Sequence, residues 1–358
     1  MPVTAVPLLF DRFPALSETV PFARLGSPST PVQRLAALGR EIDRDLWVKR
    51  DDFYGSPGGG KIRKLEFSLA EFLRQGRQSL ITFGPLGSNH VAATATHAAR
   101  LGIQTHGVLV PQPVQSYVRG NLECSCRHAR VEFAHWTAGA AFSAARLWLR
   151  GRWAKGRGPA LLAPGGSSIV GILGYVEAAL EIANDVREGR LPEPDLVFMA
   201  AGTCGALAGV TLGLRLAGLK SRAVGVRVAS RLACTVTTTS WLANRALELL
   251  RKKGARPEIS KIRRRDLTML HRHCGRGYGH ATKAGLEAVA RARELEDLAL
   301  DTTYTGKAMA AMLDFMARPE QREARALFMH TWTAPAAAQG PSAIPAHIER
   351  WLARHEHK

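Results

Sequence analysis

Gly58-Gly59-Gly60-Lys61 places a lysine directly after three glycines. Glycines let a backbone turn sharply and approach a ligand closely. The run Lys61-Ile62-Arg63-Lys64-Leu65-Glu66 predicts a helix starting near Lys61, with its amine in the positive field of the helix N-terminus and beside Arg63 and Lys64. Both effects favour the neutral amine, the form that condenses with an aldehyde. A glycine loop leading into a solvated basic helix has the same spacing.

Three further segments carry polar chemistry. Gly84-Pro85-Leu86-Gly87-Ser88-Asn89-His90 sets a hydroxyl, an amide and an imidazole where a strand gives way to a helix. That arrangement suits a carboxylate or a phenolate oxygen, and N-capping by Ser88 or Asn89 explains it equally. Gly202-Thr203-Cys204-Gly205-Ala206 follows an apolar run. Its N–H groups and the next helix dipole can cradle a phosphate, or the glycines can serve only a tight turn. It is not a P-loop, because no GK[ST] follows. Tyr278 lies between Gly277 and Gly279, and Tyr304 precedes Thr305-Gly306-Lys307. In a cleft these phenols can transfer a proton or hold a substrate; beside glycine they can also simply edge a core. His271, His273 and Cys274 match no strong zinc spacing and sit among basic residues that repel a cation, so no metal is expected.

The elements that must position these groups alternate between strand and helix. Leu80–Phe83, a helix from Asn89 to Arg100, and Thr105–Val110 make one βαβ unit. Asp195–Met199, the helix after Gly205, and Ala223–Val228 make another. Asp43–Lys49 and Ala326–His330 read as further strands. Two such sets imply two α/β lobes with a cleft beyond the carboxyl ends of parallel strands. Residues 252–276 read as a basic surface segment or lid.

The chain has 358 residues, is 46% hydrophobic and carries a formal charge of +19. Much of that charge lies in Arg251-Lys252-Lys253 and Lys261–Arg265. A basic surface attracts nucleic acid, acidic partners or anionic substrates, but it is also a common solvated face, and no nucleic-acid motif accompanies it. No run of about 18 apolar residues offers a membrane span. The N-terminal MPVTAVPLLFDRFPAL lacks a basic stretch ahead of its apolar one, so no secretory signal is expected. Five scattered cysteines without a CxxC pair point to a reducing, cytoplasmic setting.

Taken in order, these segments resemble the D-cysteine desulfhydrase / 1-aminocyclopropane-1-carboxylate (ACC) deaminase family of fold-type-II pyridoxal-phosphate enzymes. The likeness rests on Lys49-Arg50-Asp51-Asp52, Gly59–Glu66, Ser88-Asn89-His90, Pro164–Ser168, Gly174–Glu177, Gly277-Tyr278-Gly279, Tyr304–Met309 and His330-Thr331. It runs from about residue 25 to 338. The resemblance implies two open, twisted parallel-sheet lobes with pyridoxal 5'-phosphate in the cleft. Residues 1–63 with 171–358 would form the large cofactor-binding lobe and 64–170 the small one. It further implies a small amino-acid substrate and a homodimer. Lys61 would be the Schiff-base lysine and move the Cα proton. Asn89 would hold the phenolic oxygen, Gly202, Thr203, Cys204 and Gly205 the phosphate, and Thr331 would sit near the pyridine nitrogen. Ser88 and His90 would face the substrate carboxylate or the proton path, and Tyr278 and Tyr304 the substrate.

Within the family, ACC deaminases typically carry glutamate where this chain has Thr305 and leucine where it has Thr331. Both threonines favour α,β-elimination from D-cysteine, giving pyruvate, ammonia and sulfide, over cyclopropane opening. Other β-substituted amino acids, ACC itself, and a non-catalytic role for the basic surface are the alternatives. The chain departs from the family pattern at Gly60, Gly87, Ala92, Ala93, Ala206 and Trp332.

Overall fold

The computed structural model describes residues 6–135, 137–153, 157–232, 234–335 and 341–355. Its strands are β1 (Val32–Arg34), β2 (Asp45–Lys49), β3 (Ser79–Pro85), β4 (Gln104–Val110), β5 (Ala129–Phe133), β6 (Ala160–Leu162), β7 (Leu196–Ala201), β8 (Arg222–Arg227), β9 (Thr268–Leu270) and β10 (Arg325–Met329). They form a six-stranded sheet, β1-β2-β10-β7-β8-β9, and a four-stranded sheet, β5-β4-β3-β6. Among the described residues β1–β2 is the antiparallel pair and every other pair is parallel. The expected α/β class with two open parallel sheets is therefore what the chain adopts.

Apolar residues on both faces of a strand require helices on both faces of the sheet. In β7, Val197, Met199 and Ala201 pack into one layer, while Leu196, Phe198 and Ala200 pack into the other. β10 divides the same way, with Leu327 and Met329 opposite Ala326 and Phe328. The predicted helix from Asn89 to Arg100 forms over that span. The basic segment 252–276 is not wholly surface loop, because Thr268–Leu270 pairs with β8 as an edge strand. Three half-buried residues give too short a pattern to stand out in sequence. The C-terminal helix Ala346–Ala353 returns to the smaller sheet, where Ile348 and Leu352 pack with Leu86, Val91 and Leu109.

The helix Lys61–Arg74 is fixed between the layers by a buried ion cluster. Arg63 is fully buried and donates to both oxygens of Asp51, at 2.8 and 2.7 Å, and both of Glu181, at 2.6 and 2.9 Å. Lys49, at the end of β2, donates to Asp185 at 2.8 Å and lies 3.4 Å from Glu181. Glu181 and Asp185 belong to the helix Leu173–Arg187. That helix reaches Arg63 closely because residue 174 is glycine: a Cβ there would stand 2.0 Å from the Arg63 carbonyl oxygen.

Removing one partner of such a cluster strands the others without water. Arg63→Met is expected to destabilise the fold by about 3–5 kcal/mol, read as a lower denaturant midpoint; an unchanged midpoint contradicts a structural role for the cluster. A second expectation concerns His90 and His97, both buried on the helix Asn89–Arg100. Burial is the main cause that lowers them, His90 to about 3 and His97 to about 4. Because the unfolded chain takes up these protons near pH 6.5, each histidine's contribution to stability is full above about pH 6.5 and declines below it. Imidazole proton resonances of both should keep neutral-ring shifts down to pH 5, and titration near 6.5 contradicts their burial.

Candidate active site

A cavity of about 320 Å³ opens at the carboxyl ends of strands from both sheets. Phe83, Gly84 and Pro85 of β3, Val110 of β4, Met199–Ala201 of β7 and Thr331 beyond β10 line it. That is where parallel sheets characteristically leave a crevice. Lys61, Ser88, Asn89, Gly202, Thr203, Cys204, Tyr278, Tyr304 and Thr331 all reach this one cavity. Gly205 lies just beneath it, at the start of the helix Gly205–Ala217.

Lys61 begins its helix at the cavity edge. Its pKa is lowered from the ordinary lysine value, chiefly by burial, while the Asp301 carboxylate opposes the shift. The amine is therefore easier to deprotonate, as expected, but Arg63 is not the cause: its charge is turned into the ion cluster. The glycine loop ahead of Lys61 is stitched to the chain after β10, since the Gly60 N–H donates to the Thr331 carbonyl at 3.1 Å. A Cβ at residue 60 would lie 2.5 Å from the Tyr175 hydroxyl oxygen and 3.1 Å from Thr331 Cβ. The departure at Gly60 thus matches the space that Tyr175 and Thr331 fill.

Across the cavity, Gly202-Thr203-Cys204 leads into the N-terminus of the helix Gly205–Ala217. Lys64 points at this loop, donating to the Gly165 carbonyl at 3.0 Å and the Ser167 hydroxyl at 3.1 Å. Ser167 and Thr203 share a hydrogen bond of 2.7 Å. The cradle is tight: a Cβ at Gly205 would be 2.3 Å from Ser167 Oγ and 3.1 Å from Lys64 Nζ. Lys64 is held well below the usual lysine range, first by burial and then by Lys61, with Cys204 opposing. An anion in the loop would restore its charge. Sequence reasoning had used Lys64 only as a neighbour of Lys61 and gave Ser167 no role. The i,i+3 spacing that puts Lys64 on the Lys61 face was the available signal.

On the smaller-sheet side, Ser88 caps its helix by accepting from the Val91 N–H at 3.2 Å. Asn89 donates to the Gly58 carbonyl at 3.3 Å, and its other amide end is buried without a hydrogen-bond partner among the described residues. His90 also lines the cavity. Its nitrogens lie against the hydroxyls of Thr82, 3.0 Å from Nε2, and Thr94, 3.4 Å from Nδ1. Both ring nitrogens are thus held by hydroxyls of the chain.

The tyrosines meet directly: Tyr304 donates to the Tyr278 hydroxyl at 2.7 Å, with the rings edge to face. Lys61 Nζ is 5.6 Å from the centre of the Tyr304 ring. Burial, first, pushes both phenols above their ordinary pKa. Two residues anchor this wall. Asp301 accepts from the N–H groups of Thr303, Tyr304 and Thr305 and from the Thr305 hydroxyl, all at 2.7–2.8 Å. Lys307 donates to the Cys274 and Gly277 carbonyls, each at 2.9 Å, fixing the loop that carries Tyr278. Asp301 was missed, although an aspartate just ahead of a helical run is a capping signal. His273 binds Asp314 at 2.7 Å, and His271 accepts from Arg227 at 3.0 Å.

The departures divide into two groups. Ala92 and Ala93 are fully buried in the core, away from the cavity lining. Ala206 and Trp332 are part of the wall. Trp332 packs edge to face on Tyr117, with ring centres 6.5 Å apart, and so turns toward the smaller sheet's apolar cluster.

Residues 24–331 match the family described as "Pyridoxal-phosphate dependent enzyme". The chain is 35% identical over 336 residues to a D-cysteine desulfhydrase of Klebsiella pneumoniae (strain 342), covering 91% of this chain and 95% of that one. It is 32% identical over 332 residues to another D-cysteine desulfhydrase, of Salmonella paratyphi B, with 91% and 95% coverage. Its fold matches the crystal structure of an ACC deaminase homologue with a TM-score of 0.74 and 30% identity, over 98% and 99% of the two chains. Maize serine racemase shares the fold at 15% identity and a TM-score of 0.61, over 98% of this chain and 96% of that one. The chain therefore belongs to the pyridoxal-phosphate-dependent enzymes of fold type II, in their D-cysteine desulfhydrase / ACC deaminase family.

Proposed function

We propose that this enzyme eliminates the β-thiol of D-cysteine, giving pyruvate, ammonia and sulfide. The observation that carries the reading is the pair of buried lysines on one helix face. Lys61 faces the cavity beside the tyrosines, and Lys64 faces the glycine loop. The residues fit a phosphorylated pyridine aldehyde. The loop at Gly202–Gly205, with Thr203, Ser167 and Lys64, suits the phosphate. Asn89 Nδ2 gives one N–H to the Gly58 carbonyl and keeps a second to donate to the phenolic oxygen, and Thr331 offers a neutral hydroxyl to the ring nitrogen. When bound, pyridoxal phosphate supplies the electron sink for chemistry at Cα.

The chain's own residues do the rest. Lys61 holds the cofactor and, as a depressed amine, takes the Cα proton. Ser88 offers its hydroxyl proton to the substrate carboxylate, since its oxygen already caps the helix. Tyr304 donates its proton to the Tyr278 hydroxyl, which leaves the Tyr278 proton free to go to the leaving sulfur. Thr305 supports the desulfhydrase reading over ACC opening. It is buried and bonded to Asp301, and a glutamate there would set a second carboxylate against the first. The named desulfhydrase relatives support the same choice. The family resemblance also supports a homodimer. Among the described residues no helix is long and apolar enough to cross a membrane.

A panel of D- and L-amino acids with β-thiol, β-chloro and β-sulfonate groups, together with ACC, tests the reading. D-Cysteine should give pyruvate and sulfide in equal amounts. Turnover of another member but not D-cysteine contradicts the assignment. Lys64→Met should weaken pyridoxal-phosphate binding by about ten- to a hundredfold, the loss of one charged hydrogen bond. Unaltered affinity, measured by the cofactor's visible absorbance during titration, would remove Lys64 from the phosphate site.

A further inference from the structure

Cys204 stands where the backbone would favour glycine. Its φ is 62°, in the left-handed region, where a side chain crowds the backbone. Among the described residues the other non-glycine positions with positive φ are Asp43 and Asp297, and aspartate tolerates that region through local hydrogen bonds. Cysteine has no such means. What Cys204 gains instead is a sulfur neighbour: its Sγ lies 3.6 Å from Sγ of Cys234, and both residues are buried. Cys234 also donates to the carbonyl of Ala201, the last residue of β7, at 3.1 Å. The sulfur pair thus joins the anion loop to the chain leading into the helix Val236–Lys252.

Cys204 also forms part of the cavity wall, the side from which a small oxidant would approach. It lies at a helix N-terminus with Lys64 nearby, surroundings that favour a thiolate. Its thiol is lowered to about 7, chiefly by the hydrogen bond with Cys234, and that pairing pushes Cys234 up.

We propose that Cys204 and Cys234 are a redox-active dithiol, a modification site for small disulfides, whose oxidised form disables the anion loop. The second half rests on reading that loop as the phosphate site. In the first step the Cys204 thiolate attacks one sulfur of the oxidant, and the other sulfur leaves as a thiolate. Cys234 then gives up its proton to the departing thiolate and attacks the Cys204 sulfur. A bond forms between the two cysteines, and the second oxidant sulfur leaves. The two cysteine thiols lose two electrons and two protons, and the oxidant becomes two thiols. Closing the sulfurs from 3.6 Å to about 2 Å must move one or both cysteines, and any part taken by Cys204 moves the anion loop. The cradle beside it is closely packed, since a Cβ at Gly205 would fall 2.3 Å from Ser167 Oγ. By linkage, a phosphate seated in the loop slows the oxidation, and oxidation weakens cofactor binding.

The test treats the purified holoenzyme with cystamine, then maps disulfides by mass spectrometry of unreduced peptides while following the cofactor's visible absorbance. The expected result is a Cys204–Cys234 link, cofactor loss in proportion to it, and recovery of both on adding dithiothreitol and pyridoxal phosphate. Cys234→Ala should stop at a mixed disulfide on Cys204, read by mass, with no internal link; if that variant fails to fold, Cys234→Ser retains the donor to Ala201 and should stop at the same step. Absence of the link, or links through Cys124, Cys126 or Cys274 instead, overturns the dithiol. A link that leaves the cofactor bound overturns its effect on the loop. Because the link is read by mass, the dithiol is tested even if the loop holds no phosphate.

Discussion

The site depends on Arg63 being locked between Asp51 and Glu181. Helical geometry puts Lys61 and Lys64 on one face and Arg63 on nearly the opposite one. Fixing Arg63 therefore fixes the rotation of the helix and aims both lysines into the cavity. Four charge-assisted hydrogen bonds hold that rotation. Their partners come from the 3-10 turn after β2 and from the helix that Gly174 allows to approach. The buried charges are affordable because each carboxylate has a cation and each cation has hydrogen-bond acceptors.

This arrangement produces a cavity with two buried amines and a carboxylate, Asp301, behind its wall. Asp301 is occupied by backbone N–H groups and acts on Lys61 only through its field. Burial lowers both lysines, for different ends. At Lys61 it favours the free amine needed for reaction with an aldehyde. At Lys64 it leaves a site whose charge is recovered when an anion enters. In the proposed function the reactive and binding lysines are thus separated by what each one faces, although they are three residues apart.

Much of this was legible in sequence. The two βαβ units, the helix from Asn89 and the ordered set of motifs led to the sheet class and to nine cavity residues. One strand-turn-helix unit positions Ser88 and Asn89, and another positions Gly202, Thr203 and Cys204. What escaped was decided by long-range contact. The Lys64 partners come from residues 165 and 167, and nothing nearby in sequence announces them. The Thr82 and Thr94 hydroxyls that hold the His90 ring are likewise not announced by the Ser88-Asn89-His90 motif. Three-residue edge strands such as β9 carry too little pattern to be recognised alone.

In the proposed function Lys61, rather than its buried neighbour Lys64, carries the cofactor. Reduction of the holoenzyme with borohydride, followed by peptide mass mapping, tests it most directly. The account predicts a phosphopyridoxyl group on Lys61 and an unmodified Lys64. A label on Lys64, or on neither lysine, would contradict it.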